Sequence, residues 1–341
     1  MPSYFPAVFG NAATRRYFGE AVRGGTLSHA YIFEGPRGSG KTLFARELAA
    51  ALVCEAREEG ETLPCGVCGA CRRVREGLAP DVRTVTTDTA TIGVDTVREL
   101  RADMYLSACE FPYKIYIIRE AHKMTAQAQN ALLKVLEEPP TDLFIFLLTE
   151  RAEALLTTIR SRTQLVRMEL LSPATMEEAL VKNVAARRYR ERDPDGFRAL
   201  IEGSGGALGQ VLDLLDGKRG EAYGKRHATV ADAVRKLVTA APYSEIVSAF
   251  GRLPQKRQEL MDELGLYIAA LRDLILIYRS ETVPLTFYAS REEAETLATR
   301  AGLARLLKIY DLAVFSADAL AANANVQLTL ASFMTNVAGL A

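Results

Sequence analysis

Gly35-Pro36-Arg37-Gly38-Ser39-Gly40-Lys41-Thr42 decides the fold of the first half of this chain. It fits G-x-x-x-x-G-K-[ST] at every fixed position. It also has the context that gives the pattern meaning, following a short apolar run, Tyr31 to Glu34, and opening a stretch, Lys41 to Cys54, with Ala and Leu at helical spacing. Glycines let backbone N–H groups curl around phosphates, and the helix start adds positive potential. Lys41 reaches the outer phosphates and Thr42 can ligate Mg²⁺. The competing reading is a glycine-rich turn without a ligand; motif and context together favour a phosphate cradle built from Gly35, Pro36, Arg37, Gly38, Ser39, Gly40, Lys41 and Thr42.

Working outward, Lys114 to Ile118 and Leu143 to Leu148 are apolar enough for strands buried on both faces. Between them Ala126 to Glu138 puts Leu132, Val135 and Leu136 on one helical face, and Pro139-Pro140 ends it. Gln164 to Met168 completes a parallel sheet flanked by helices. Near residue 171 the pattern changes. Ser172-Pro173 is a helix start, strand signals fade, four glycines in Gly203 to Gly209 mark a break, and a junction falls near Gly217 to Lys225. The remainder reads as helix, with stops at Pro254, Pro284 and Asn323 to Asn325. The expected plan is α/β and then all-α: a nucleotide-binding domain over 1–170, a small helical lid over 171–222 and a helical bundle over 223–341.

An ATPase built on such a loop needs an acidic pair at a nearby strand end, one residue for the metal and one to activate water. Ile115-Tyr116-Ile117-Ile118-Arg119-Glu120-Ala121-His122 offers only half of it. Glu120 stands at the water-activating position, but the residue before it is Arg119, whose positive charge opposes Mg²⁺. Asp88 and Asp95 are the alternative carboxylates, and neither ends a strand beside the cradle. The expected site holds ATP or ADP weakly or statically, turns over little and disfavours Mg²⁺. Thr149, at the end of a core strand, either faces the outer phosphate or closes a turn. His29 and His122 lack nucleophile or metal partners nearby and read as packing or capping residues. Arg187 to Arg192 reads as a solvated helical face.

Cys54, Cys65, Cys68 and Cys71 cluster, while Cys109 stands apart. Two Cys-x2-Cys steps with Gly66 and Gly69 between them, plus Cys54 from the end of the preceding helix, form a closed four-thiolate knuckle suited to structural Zn²⁺. Iron–sulfur ligation is the alternative, but the run departs from ferredoxin spacing.

Forty-two basic and 42 acidic residues cancel, which argues against a chain that grips nucleic acid alone. With 49% hydrophobic and 25% charged residues, no apolar stretch of membrane-spanning length and no signal-like start, the expectation is a cytoplasmic protein.

Taken together, His29 to Glu34, the cysteine insertion and Asn130-Ala131-Leu132-Leu133-Lys134-Val135-Leu136-Glu137-Glu138-Pro139-Pro140 resemble the bacterial DNA polymerase III clamp-loader subunits, members of the AAA+ class. Asn323 to Leu328 is similar to a segment of that family's C-terminal collar. The resemblance is specific over residues 5 to 170 and diffuse beyond. It implies hydrolysis-driven loading of a sliding clamp onto primed DNA by a hetero-oligomer with gamma/tau and delta subunits. Ile159-Arg160-Ser161-Arg162 looks like the family's arginine-finger segment, which implies that Arg162 serves a neighbour's ATP site. Thr163 replaces the family's cysteine there. Arg119, together with Gly209 where a sensor arginine is expected, points to the non-motor delta-prime branch. An active gamma/tau-like ATPase, an unrelated P-loop phosphotransferase and a zinc-dependent DNA-binding module are the alternatives.

Overall fold

The computed structural model describes residues 3–339 except 58–60, 88–90, 240–241, 251–252, 255, 280–284, 289 and 323; Asp88, Pro284 and Asn323 therefore lie outside the described residues. The chain divides into two compact units, residues 1–179 with 206–210, and residues 180–205 with 211–341.

The first unit runs β1 (Ser3–Tyr4), α1 (Ala12–Gly24), β2 (Ala30–Glu34), α2 (Lys41–Leu52), β3 (Thr62–Leu63), α3 (Gly69–Glu76), β4 (Val82–Val85), α4 (Val94–Met104), β5 (Lys114–Ile118), α5 (Ala126–Glu137), β6 (Leu143–Thr149), α6 (Thr157–Arg160), β7 (Gln164–Arg167) and α7 (Pro173–Val181). Five parallel strands form one sheet in the order β4-β5-β6-β2-β7, and β1 pairs with β3 separately. Alternation along β2 explains how both faces are covered. Tyr31 and Phe33 meet Phe18 of α1, Phe44 of α2 and Phe146 on one face, while Ala30 and Ile32 join Leu132 and Val135 of α5 on the other.

Two sequence expectations shift. The stretch Ala154 to Arg160, read as one helix, is broken: Leu155 takes an extended backbone and is buried, so the helix begins only at Thr157. Strand β4 gave no clear signal. It is an edge strand whose Arg83 and Thr84 are exposed, so it lacks an apolar run.

The second unit holds α8 (Val184–Arg192), α9 (Pro194–Gly203), α10 (Leu208–Leu215, begun in the first unit), α11 (Gly217–Val238), α12 (Tyr243–Phe250), α13 (Arg257–Ile277), α14 (Arg291–Ala301), α15 (Leu303–Ala321) and α16 (Val326–Ala338). Leu260, Leu264, Tyr267, Leu271 and Leu274 recur at intervals of three and four along α13 and form the centre of its core. Helix α11 runs unbroken through Gly217, Gly220 and Gly224, where the sequence suggested a junction. Its Val230, Val234 and Leu237 are buried in the bundle, and that packing outweighs a helix penalty of about 1 kcal/mol per glycine. Asn325 caps α16 by accepting the Leu328 N–H at 3.1 Å. Among the described residues, no helix is long and apolar enough to cross a membrane.

Candidate functional site

The phosphate loop joins β2 to α2. Gly38 and Gly40 have φ of 84° and 90°, which glycine adopts without strain. A side chain on Gly40 would meet open space, whereas the buried Ser39 hydroxyl has no hydrogen-bond partner. An open cradle with an orphaned buried hydroxyl at the start of a twelve-residue helix is a donor set that fits an anion. The Lys41 ammonium donates to the carbonyls of Gly35 and Pro36. Burial pulls its pKa down, and Glu150 nearby pulls the other way. Thr42 follows on the same first turn, partly exposed.

Sequence reasoning did not foresee the segment laid on this loop. The Gly209 N–H donates to Gly38 O at 3.0 Å, and the Gln210 side-chain amide donates to Arg37 O at 3.1 Å. A Cβ at Gly209 would stand 2.9 Å from Gly38 Cα, so backbone meets backbone only because both positions are glycine. A side chain as large as arginine has no room at 209 in this arrangement.

Strand β6 lies between β2 and β5. Glu34 pairs with Thr149, and Ile118 with Leu147, so the ends of β2, β5 and β6 rise to one level. Arg119, directly after β5, is exposed, and among the described residues its guanidinium makes no ion pair. Glu120 has φ 48° and ψ 45° and pairs with Lys123 at 2.9 Å. Thr149 is buried; its hydroxyl donates to Arg151 O at 2.9 Å and lies 3.4 Å from His122 Nδ1, an arrangement that closes a turn. Burial lowers the His122 pKa, against the pull of Glu150 and Glu120. Glu34 accepts the Ala152 N–H at 2.8 Å and pairs with Arg167 at 3.1 Å, which with the N–H leading holds its pKa below the ordinary carboxylate value. Asp95 belongs to the first turn of α4 and pairs with Arg98.

At the far end of α2 the four cysteines converge, all sulfurs lying within 4.8 Å of one another and those of Cys65 and Cys71 4.0 Å apart. Tetrahedral thiolate ligation at about 2.3 Å sets sulfurs about 3.8 Å apart, so the cluster could hold a metal ion with little rearrangement. Backbone N–H groups of Cys65, Cys68 and Cys71 point at the sulfurs of Cys54, Cys65 and Cys68 respectively. Burial would raise Cys65, but the N–H groups of Cys68 and Val67 and neighbouring thiols bring it down to about 7. Burial pushes Cys54 and Cys71 up, so an ion bound by four thiolates must expel protons. Glu47 of α2, almost fully buried, takes a bidentate ion pair from Arg75 of α3 at 2.8 and 2.6 Å and ties the knuckle to the phosphate-loop helix.

Arg162 follows α6. Buried Ile159 anchors this turn, and buried Gln129 fixes the approach by accepting the Leu156 N–H at 2.7 Å. The Arg162 guanidinium donates to Thr158 O at 3.0 Å and pairs with Glu137, at the end of α5, at 2.9 Å. Among the described residues its hydrogen bonds and ion pair go to Thr158, Ser161 and Glu137, and none to this chain's own phosphate loop.

The sheet order and the loop after β2 define an AAA+-like P-loop module. A model of the family described as DNA polymerase III, delta subunit, matches residues 10–172. The delta' subunit of DNA polymerase III from Bacillus subtilis (strain 168) is 31% identical over 253 residues, 74% of this chain and 71% of the relative. The gamma/tau subunit from Mycobacterium tuberculosis (strain ATCC 25618 / H37Rv) is 37% identical over 217 residues, 63% of this chain; the chain spans 37% of that relative's length. A gamma subunit-related protein of Thermotoga maritima, solved by crystallography, aligns over 97% of this chain and 99% of its own, with 20% identity and a TM-score of 0.40. The chain belongs to the clamp-loader subunit family of bacterial DNA polymerase III, which takes in delta' and gamma/tau. Membership in that family sets aside an unrelated phosphotransferase.

Proposed function

We propose that this chain is a non-motor, delta'-like subunit of the sliding-clamp loader. In this reading it works in the cytoplasm with gamma/tau and delta subunits to place a sliding clamp on primed DNA. Residues 171–222 serve as its lid, 223–341 as its collar, and the knuckle takes structural Zn²⁺. Its own nucleotide site binds ATP or ADP and turns over little. Arg162 reaches the ATP site of a neighbouring subunit and stabilises charge on the transferred phosphoryl group. The observation that carries this reading is Arg119: a guanidinium stands where a hydrolytic site needs a metal carboxylate, while Glu120 beside it is held by Lys123. Glu137 holds Arg162 meanwhile, and that exposed pair is weak enough to be exchanged for a phosphate.

When bound, a nucleotide would present its phosphates to the N–H groups of the Gly38 to Thr42 turn, with Lys41 on the outer phosphates and the Ser39 hydroxyl satisfied inside the cradle. The test is ATP turnover by the chain alone and by the assembled loader. The expected result is negligible hydrolysis alone, and a loss on the order of a thousandfold in the assembly's turnover for Arg162→Ala with subunit assembly intact. Hydrolysis at several turnovers per second by the isolated chain, abolished by Lys41→Ala, would establish a gamma/tau-like motor instead.

A further inference from the structure

The strand end beside the phosphate loop carries the wrong charge for a divalent cation, and this can be followed through the whole donor set. Mg²⁺ demands hard oxygen ligands in near-octahedral array and is held in P-loop sites by the loop hydroxyl and a strand-end carboxylate. Thr42 still offers the hydroxyl. The carboxylates at this edge are engaged elsewhere: Glu34 with Arg167 and the Ala152 N–H, Glu120 with Lys123, and Asp95 with Arg98 on α4. Glu150, next to Thr149, is exposed and close enough to act on Lys41, so among the described residues it remains the one alternative acid beside the cradle. Against it stand Lys41, Lys123 and Arg119. The described residues therefore fit a nucleotide's phosphates and do not fit the cation that ordinarily accompanies them.

We infer that this site takes a nucleoside di- or triphosphate without a divalent cation, with Arg119 supplying at the end of β5 the positive charge that Mg²⁺ supplies elsewhere. The inference rests on the nucleotide-binding reading of the loop and adds its ionic requirement. A guanidinium suits the role. It is permanently charged, planar, and presents paired N–H donors that match phosphate oxygens. Arg119 is also available, being exposed and without an ion pair among the described residues. It can neutralise phosphate charge, but Glu120, at the water-activating position, is held by Lys123, so the site would hold a nucleotide in place without cleaving it.

The experiment titrates the full chain with a fluorescent ADP or ATP analogue, reading anisotropy in EDTA and again in Mg²⁺. The wild-type affinities are expected to agree within about threefold. Arg119→Asp should weaken binding in EDTA on the order of tenfold and regain it in Mg²⁺, and Arg119→Gln should weaken it in both. Glu150→Gln should leave the ratio between the two buffers unchanged. Thermal melts of the variants confirm folding, as expected for changes at exposed positions. A wild type that binds ten times more tightly in Mg²⁺, or an Arg119→Asp chain unaffected in EDTA, overturns the inference and leaves the cradle reading standing. No binding in either buffer, with Lys41→Ala indistinguishable from wild type, overturns the cradle reading itself.

Discussion

Helix α2 carries a site at each end, and the two are built differently. Beyond its C-terminal end, Cys54 joins Cys65, Cys68 and Cys71 in a closed cluster whose four sulfurs all come from eighteen consecutive residues. At its N-terminal end, Gly35 to Thr42 supplies a cradle but not the rest of a working site. The other groups come from the end of β5, the end of β6 and the segment 206–210. A closed local site is kept or lost as a unit, because a three-ligand remnant binds metal poorly. A dispersed site can keep one function and shed another. On the proposed function, the phosphate-binding part remains here and Arg119 stands in place of the metal-binding part.

The sharpest way to break this comparison is to strip the knuckle. Cys71→Ser, or chelation of the wild type, should lower stability by an amount on the order of 5 kcal/mol, about 10 °C or more in the midpoint of thermal unfolding. A melting curve that ignores chelator would mean the cluster is four ordinary thiols and the contrast with the loop is false.

The second test joins the two ends. Glu47→Gln leaves Arg75 facing a neutral amide in a nearly buried position, and a loss of about 2–3 kcal/mol is expected by chemical denaturation. Because Glu47 lies on the same helix as Lys41, nucleotide affinity should fall with it if the knuckle braces the loop. Unchanged affinity in a destabilised chain would separate the two sites.

These cases also show what could be read beforehand. The knuckle and the loop were legible because their geometry is encoded in spacing: two Cys-x2-Cys steps, and glycines between a strand and a helix. Strands β5 and β6 were legible as apolar runs buried on both faces. The Glu47–Arg75 pair, the Gln129 anchor and the placement of Gly209 against Gly38 were not, because each depends on tertiary approach between residues 27 to 171 positions apart. Thr149 was open between two readings for a related reason. Only the fold decides which way a hydroxyl at a strand end points, and here it closes a turn with Arg151.

Gly209→Ala probes the dispersed site directly. Its Cβ would press on Gly38 Cα at 2.9 Å, and backbone cannot yield as a flexible side chain would. A loss of about 1–2 kcal/mol is expected, with faster amide hydrogen exchange at residues 37–40. Equal exchange in the variant would show that the segment merely touches the loop.

The smallest expected effect concerns the support beneath the knuckle. Asp81, almost fully buried, accepts the N–H groups of Cys109, Glu110 and Phe111 at 2.8, 2.7 and 2.9 Å. The loop it holds meets α3, where Arg73 pairs with Glu110 and lies over the Phe111 ring at 5.1 Å. Burial alone would raise the Asp81 pKa, but the three N–H donors and nearby Lys114 hold it below the ordinary carboxylate value. A depressed carboxylate contributes stability that is fully present above its unfolded pKa near 4 and is lost as pH falls through the folded value. The stability gap between wild type and Asp81→Asn should therefore stay near about 1 kcal/mol from pH 7 to 5 and close below about pH 4. Protonation of the knuckle thiols is common to both chains and cancels in that difference. A gap that widens on acidification would mean that Asp81 is held in its protonated form, and that its hydrogen bonds are not those of a carboxylate.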